Sequence, residues 1–215
     1  MAGCCNPRGC DGFFTARMAR RAAERYRTRG VGQTERRLLS FLSERGVDGA
    51  TVLEIGGGVG EVQLELLKLG ASRTVNLELS PGYDADAASL AREAGFDGRM
   101  ERRLLDIAVT PNDVEAADVV VLNRVVCCYP DYQRLLGSAA DHARRLLVFS
   151  YPPRNVLSRL LLGAENLRFR LQRKEFRTFA HPPARMLEVV EGRGLRQAYA
   201  HHPLVWQIAG FERVG

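Results

Sequence analysis

The sequence predicts an α/β protein: a doubly wound, mostly parallel sheet of seven strands, closed by an antiparallel C-terminal hairpin and preceded by an N-terminal helical extension. Three observations predict it. From residue 50 onward, short apolar runs alternate with helical segments, which implies right-handed crossovers and a parallel sheet covered on both faces. The last two strand candidates are joined by only a few residues, too few for a parallel crossover, so they pair antiparallel. The first 45 residues show helical periodicity instead. The division is therefore a helical extension over 1–45 and a sheet domain over 46–215.

The elements follow in order. Phe14, Met18, Ala22 and Tyr26 recur every four positions beside Ala19 and Ala23, one apolar stripe of a first helix. After the Gly30-Val31-Gly32 break, a second helix over Thr34 to Arg45 turns Leu38, Leu39 and Leu42 inward and stops at Gly46. Thr51 to Ile55 is a strand that runs into glycines, and Glu61 to Leu69 is a helix closed by Gly70. Arg73 to Glu78 is the second strand. Pro81 opens a helix that closes at Gly95. Arg99 to Leu104 is a weaker strand, Asp118 to Leu122 a clear one, and the helix Asp131 to Ala143 leads into Leu146 to Ser150. Pro182 to Glu191 is the last helix, before strands Leu195 to His201 and Val205 to Glu212.

Composition narrows the function. The 215 residues are 46% hydrophobic, enough for a substantial core. No apolar run approaches the ~18 to 20 residues that cross a bilayer, and Met1 to Cys10 has no apolar signal region, so a soluble cytoplasmic protein is expected. Net charge is +6, but residues 1–45 carry +6, residues 46–143 carry −8 and residues 144–215 carry +8. An acidic middle between basic ends is not the pattern of a uniformly basic nucleic-acid binder, and nucleic acid is an unlikely partner. Cys4, Cys5, Cys10, Cys127 and Cys128 form two clusters of odd total, which argues against a disulfide framework. Cys4-Cys5-x4-Cys10 lacks the C-x2-C spacing of a metal site, so no metal is expected.

The chemistry concentrates at Val52-Leu53-Glu54-Ile55-Gly56-Gly57-Gly58-Val59-Gly60-Glu61. A strand runs through glycines into a helix N-terminus, so a ligand can lie against bare main chain beside oriented N–H groups. The dinucleotide pattern G-x-G-x-x-G fails in both registers, because its sixth position is Glu61 or Gln63. A triphosphate loop fails as well, because Gly60 is followed by Glu61. What fits is E-x-G-x-G-x-G, through Glu54, Gly56, Gly58 and Gly60.

On these residues the chain resembles the class I S-adenosylmethionine-dependent methyltransferases, a Rossmann-like family, over roughly residues 46–215. The resemblance implies S-adenosyl-L-methionine as cofactor. Gly56, Gly58 and Gly60 would lie against its methionyl part, with Glu54 reaching the ammonium through water. Glu78, 22 residues after Gly56 in Asn76-Leu77-Glu78-Leu79, would hold the ribose hydroxyls, and Leu79 would pack on the adenine. Asp106 and Ile107 would form the adenine site, and Asn123 ends the fourth strand beneath the reacting sulfur. A zwitterionic sulfonium ligand also accounts for Glu54 and Glu61 beside one site.

Methyl transfer from a sulfonium mainly requires alignment and exclusion of water, so no fixed catalytic motif is expected. Amino-group methylation of adenine or glutamine usually places Asn/Asp-Pro-Pro-aromatic after strand four, where this chain has Asn123-Arg124-Val125-Val126; Ser150-Tyr151-Pro152-Pro153 follows strand five instead. Cytosine chemistry needs a positioned thiolate, but Cys127-Cys128 lacks a preceding proline and reads as ordinary buried thiols. A small-molecule oxygen or carbon acceptor is the expectation, with a non-catalytic cofactor-binding protein or an RNA methyltransferase as alternatives.

Residues 154–177 carry seven basic residues and two acids beside a stripe of Val156, Leu160, Ala164, Leu167 and Leu171, widened by Leu157 and Leu161. That pattern suits a helix covering the sheet, a lid over an amphiphilic substrate, or a surface helix in peripheral contact with a membrane. Arg177-Thr178-Phe179-Ala180-His181-Pro182, with Phe13-Phe14, Gly32 and Thr34, is loosely similar to the magnesium-protoporphyrin O-methyltransferases. On that likeness His181 is a candidate general base or substrate contact.

Overall fold

The computed structural model describes Gly9 and residues 12–215. Two helices come first, α1 (Ala16–Arg29) and α2 (Gln33–Glu44). Then follow β1 (Thr51–Ile55), α3 (Glu61–Lys68), β2 (Arg73–Glu78), α4 (Asp84–Glu93), β3 (Met100–Leu104) and β4 (Ala117–Leu122). The chain ends with α5 (Tyr132–Asp141), β5 (Ala143–Tyr151), α6 (Val156–Leu171), α7 (Pro183–Glu191), β6 (Leu195–His201) and β7 (Gln207–Arg213). The seven strands form one sheet in the order β3-β2-β1-β4-β5-β7-β6. The first five are parallel, and β7 is antiparallel to both β5 and β6. This is the Rossmann-like doubly wound sheet with a reversed C-terminal hairpin, and the strand order turns back between β1 and β4, where ligands of such sheets bind.

Period-2 alternation builds two cores. Leu53, Val120, Leu122, Leu147 and Phe149 face α5 and α7. Val52, Val119, Val121, Leu146 and Val148 face α2 and α3 instead. Both sheet faces are therefore dry, which is why the strands read as nearly continuous apolar runs. Helix α2 enters the second core through Leu38, Phe41 and Leu42.

Helix α1 rests on the glycine-loop side through a third cluster, with Ala19 and Ala23 against Val59, Leu64, Tyr83 and Leu90. The contact uses alanines so the helix can come close, and Met18, on the expected stripe, is 37% exposed. Other differences are small. The helix opened by Pro81 begins as a single tight turn, Pro81–Tyr83, whose Ser80 side chain accepts from Gly82 N. Strand β5 starts three residues before the expected Leu146, because Ala143 pairs with Ala117 across an irregularity in β4.

Helix α6 departs most from a sheet-covering reading. Its apolar stripe faces outward, and Phe169 is its one fully buried residue. Among the described residues no helix is long and apolar enough to cross a membrane. Cys4, Cys5 and Cys10 lie outside the described residues.

Candidate functional site

Strand β1 delivers the glycine loop to the C-terminal edge of the sheet. Gly56, Gly58 and Gly60 all have left-handed φ, of 68°, 59° and 83°. At Gly56 a Cβ would also stand 2.5 Å from Cγ2 of Val125, so the chain after β4 passes directly under the loop. Gly57 carries a different constraint, because any Cβ there would collide with the Glu54 carboxylate. Gly60 turns the chain into α3, and its N–H donates to Gly57 O at 2.9 Å.

Two adjoining hollows meet at this loop. The first is lined by Gly56, Gly58, Glu78, Leu79, Asp106 and Ile107, with apolar walls from Leu77, Leu105 and Val125. Glu78 Oε1 accepts the Gly58 N–H at 2.5 Å, which joins the acid at the end of β2 to the loop after β1. Asp106 is held twice: Oδ1 accepts from Ala108 N at 3.0 Å and Oδ2 from the Tyr129 hydroxyl at 3.0 Å. The second hollow is lined by Glu54, Gly57, Asn123, Glu35, Arg25 and Arg124.

Charge is concentrated between them. Glu54 is buried, and among the described residues its Oε2 has no hydrogen-bond partner. Burial raises its pKa well above the usual carboxylate value, and the charges of Glu61 and Glu78 push the same way. Burial also raises Glu61 and Glu78, the latter opposed by the Arg102 charge and by the N–H groups of Gly58 and Leu79. The phenol of Tyr83 is pushed up to about 12 by burial and by Glu78. A buried carboxylate oxygen without a donor is costly. A ligand ammonium would relieve it. With a glycine cradle, a ribose-height carboxylate at Glu78 and an apolar slot at Leu79 and Ile107, the residues fit a zwitterionic sulfonium nucleoside.

Six of the expected residues line the first hollow, Gly56, Gly58, Glu78, Leu79, Asp106 and Ile107; Glu54 lines the second, and Gly60 lines neither, turning instead toward Gln63 and Met100. Asn123 lies in the second hollow, where Nδ2 donates to Glu35 Oε1 at 2.9 Å and Oδ1 accepts from Ser150 Oγ at 2.9 Å. It braces the end of β4. His181 lies outside the lining of both hollows. It is buried, its Nε2 is 2.9 Å from Tyr129 O, and it packs against the rings of Tyr132 and Phe179. Burial lowers its pKa, opposed by hydrogen bonds to the carbonyls of Tyr129 and Val126. Geometrically it props the loop that carries Tyr129. Cys127 is buried, and Cys128 lines the first hollow.

Two site residues, Glu35 and Arg102, were not singled out from the sequence, and Phe14 was named only in a helical stripe and a family likeness. Glu35 of α2 is 2% exposed and ion-paired to Arg124 at 3.0 Å, and among the described residues its Oε2 has no partner. Its signal was available: position 35 is in phase with Leu38, Leu39 and Leu42, so it is an acid on an inward face. Arg102 of β3 donates to Gly58 O at 2.7 Å and to Asp84 at 2.5 Å, which locks the loop to the sheet edge. Phe14 lines the first hollow from the N-terminal segment, and its carbonyl accepts from Ser80 Oγ at 3.1 Å.

A family model described as a methyltransferase domain matches residues 18–202. The magnesium protoporphyrin IX methyltransferase of Synechocystis, solved with bound S-adenosylhomocysteine, superposes with a TM-score of 0.70 at 20% identity, over 85% of this chain and 83% of that one. An O-methyltransferase family 2 protein from Planctomyces limnophilus, solved with apigenin, gives 0.67 at 19% identity, over 93% and 62%. Among curated sequences, the ribosomal protein L11 methyltransferase of Edwardsiella ictaluri is 33% identical over 121 residues, 50% of this chain and 39% of that protein. The chain thus spans between about a third and two fifths of the length of the curated relatives it matches.

Proposed function

We propose that this chain, which belongs to the S-adenosylmethionine-dependent methyltransferase family, moves a methyl group to an oxygen or carbon of a small-molecule acceptor in the cytoplasm. The observation that carries the acceptor class is the wall of the first hollow where β4 ends: Val125 and Cys128, with Phe14 and Leu135 nearby, are mostly apolar. A compact, largely apolar acceptor suits that wall better than a folded macromolecule. Resemblance to the magnesium-protoporphyrin enzyme points the same way.

When bound, the cofactor supplies a methyl carbon activated by its positive sulfur. The chain's own part is placement. Glu78 would accept from the ribose hydroxyls, the glycine loop would leave room for close approach, and Glu54 and Glu35 would face the ammonium. Val125 under Gly56 fixes the floor of the hollow. Tyr129, tied to Asp106 and propped by His181, supplies its hydrogen-bonding wall. Alignment and removal of water then carry the rate.

Purified protein, methyl-labelled S-adenosylmethionine and a cell extract test this. Label is expected in the small-molecule fraction. Label confined to protein or RNA overturns the acceptor class.

A further inference from the structure

Helix α6 is built inside out. Ser158, Leu162, Asn166 and Phe169 recur at i, i+4, i+8 and i+11 and turn toward the protein. Asn166 anchors that face, donating to Thr178 O at 2.7 Å and accepting from Thr178 N at 2.9 Å, while Phe169 meets Phe13 and Phe176 edge-on. The opposite face carries Val156, Leu157, Leu160, Leu161, Leu167 and Leu171, each between 57% and 77% exposed. At 3.6 residues per turn these six span an arc of about 140°. Arg159 and Arg170 border one side of it, and Arg168 falls within it near the other side, between Leu157 and Leu161 in projection. Among the described residues none of these three arginines is in an ion pair, whereas Arg27, Arg45 and Arg193 elsewhere on the surface are.

A second apolar element lies on the same edge of the sheet. Tyr151, which leads into α6, pairs with Gln207. The turn just before Gln207 exposes Leu204 by 89% and Val205 by 66%. Leu204 and Val205 therefore lie at the end of β7 that pairs with the end of β5, from which the chain runs into α6.

A leucine face bordered by unpaired guanidinium groups matches the boundary between acyl chains and anionic headgroups. A protein partner would more often add acids to pair with such arginines, and Glu165 is the one acid within the helix. We propose that α6, with the 204–205 turn, docks this protein on an anionic phospholipid surface, lying in the interface plane with its leucines among the acyl chains. The docking itself does not depend on the acceptor assignment.

The test uses the full chain and two vesicle preparations, phosphatidylcholine alone and phosphatidylcholine with about 30% phosphatidylglycerol, in a flotation assay. Wild-type protein is expected to float with the anionic vesicles at least about tenfold more than with the neutral ones, and to be released as salt screens the attraction. Leu157→Ser/Leu160→Ser/Leu161→Ser and, separately, Arg159→Glu/Arg170→Glu are each expected to lower flotation by about tenfold or more. Both variants should keep the melting shift given by S-adenosylhomocysteine, since all five positions are solvent-facing. Wild-type protein that stays behind from both preparations overturns the proposal, as do variants that float like wild type. If instead the leucine variant converts a self-associated wild type to monomer and neither form floats, a second copy covers this face and the proposal is equally wrong.

Discussion

Glu78 at the end of β2 accepts the main-chain N–H of Gly58 in the loop after β1 at 2.5 Å. One carboxylate therefore has two tasks: it ties the glycine loop to the neighbouring strand, and it faces the hollow with acceptor capacity left over. Binding and loop geometry are coupled at this residue.

Replacing it should show both tasks. Glu78→Ala is expected to weaken S-adenosylhomocysteine binding by about 1–3 kcal/mol in calorimetry, the loss of a charged hydrogen-bond acceptor. Unchanged affinity would remove Glu78 from the ribose site.

Gly56 and Val125 form a steric pair. Gly56→Ala places a Cβ at left-handed φ and 2.5 Å from Val125 Cγ2, so a loss of about 1–3 kcal/mol of stability is expected. Gly56→Ala/Val125→Ala should recover the steric share but not the backbone share, giving a coupling of opposite sign to the single effects. Gly46→Ala is the control: its φ is +76° with nothing within 4 Å. Strict additivity of the Gly56 and Val125 changes would show that the two do not touch.

Glu54 gives a pH signature. Its pKa is raised in the folded chain by burial and by Glu61 and Glu78. A raised carboxyl contributes stability below its unfolded value, and that contribution is lost as pH rises through the folded value. Glu54→Gln should therefore melt like wild type near the ordinary carboxylate value of 4.5 and progressively above it at higher pH in the absence of cofactor. Adding S-adenosylhomocysteine should reverse the order, because its ammonium favours the charged acid. Melting curves that run parallel at every pH would contradict this.

Glu35 and Arg124 join the N-terminal helices to the end of β4 at 3.0 Å, with Glu35 almost wholly buried. Arg124→Ala leaves a buried acid with only its Asn123 contact, at an expected stability loss of about 1–3 kcal/mol. Adding Glu35→Gln should restore part of it. If the double variant is less stable than Arg124→Ala, the ion pair is not what holds α2 here.

His181 separates a base from a prop. With Nε2 directed at Tyr129 O, His181→Ala is expected to lower the melting temperature and turnover while leaving the pH dependence of turnover unchanged. Disappearance of the acidic limb of that profile would instead make it the base.

Much of this was legible in the chain alone. The succession of strands and helices, the parallel run and the reversed hairpin rest on local signals: glycines where φ must be positive, short connections, and apolar periods of two or nearly four. Even Arg73 to Glu78 is the same strand in pattern and in structure. Partnership across distance was not legible. Glu35 meets Arg124 and Arg102 meets Gly58 only because the sheet order brings β3, the loop after β1 and the end of β4 to one edge. The direction in which the α6 leucines face was decided by tertiary contact as well. Periodicity marks a stripe but not which side is covered, and here Asn166 and Phe169 turned the polar-and-aromatic face inward and left the leucines outside.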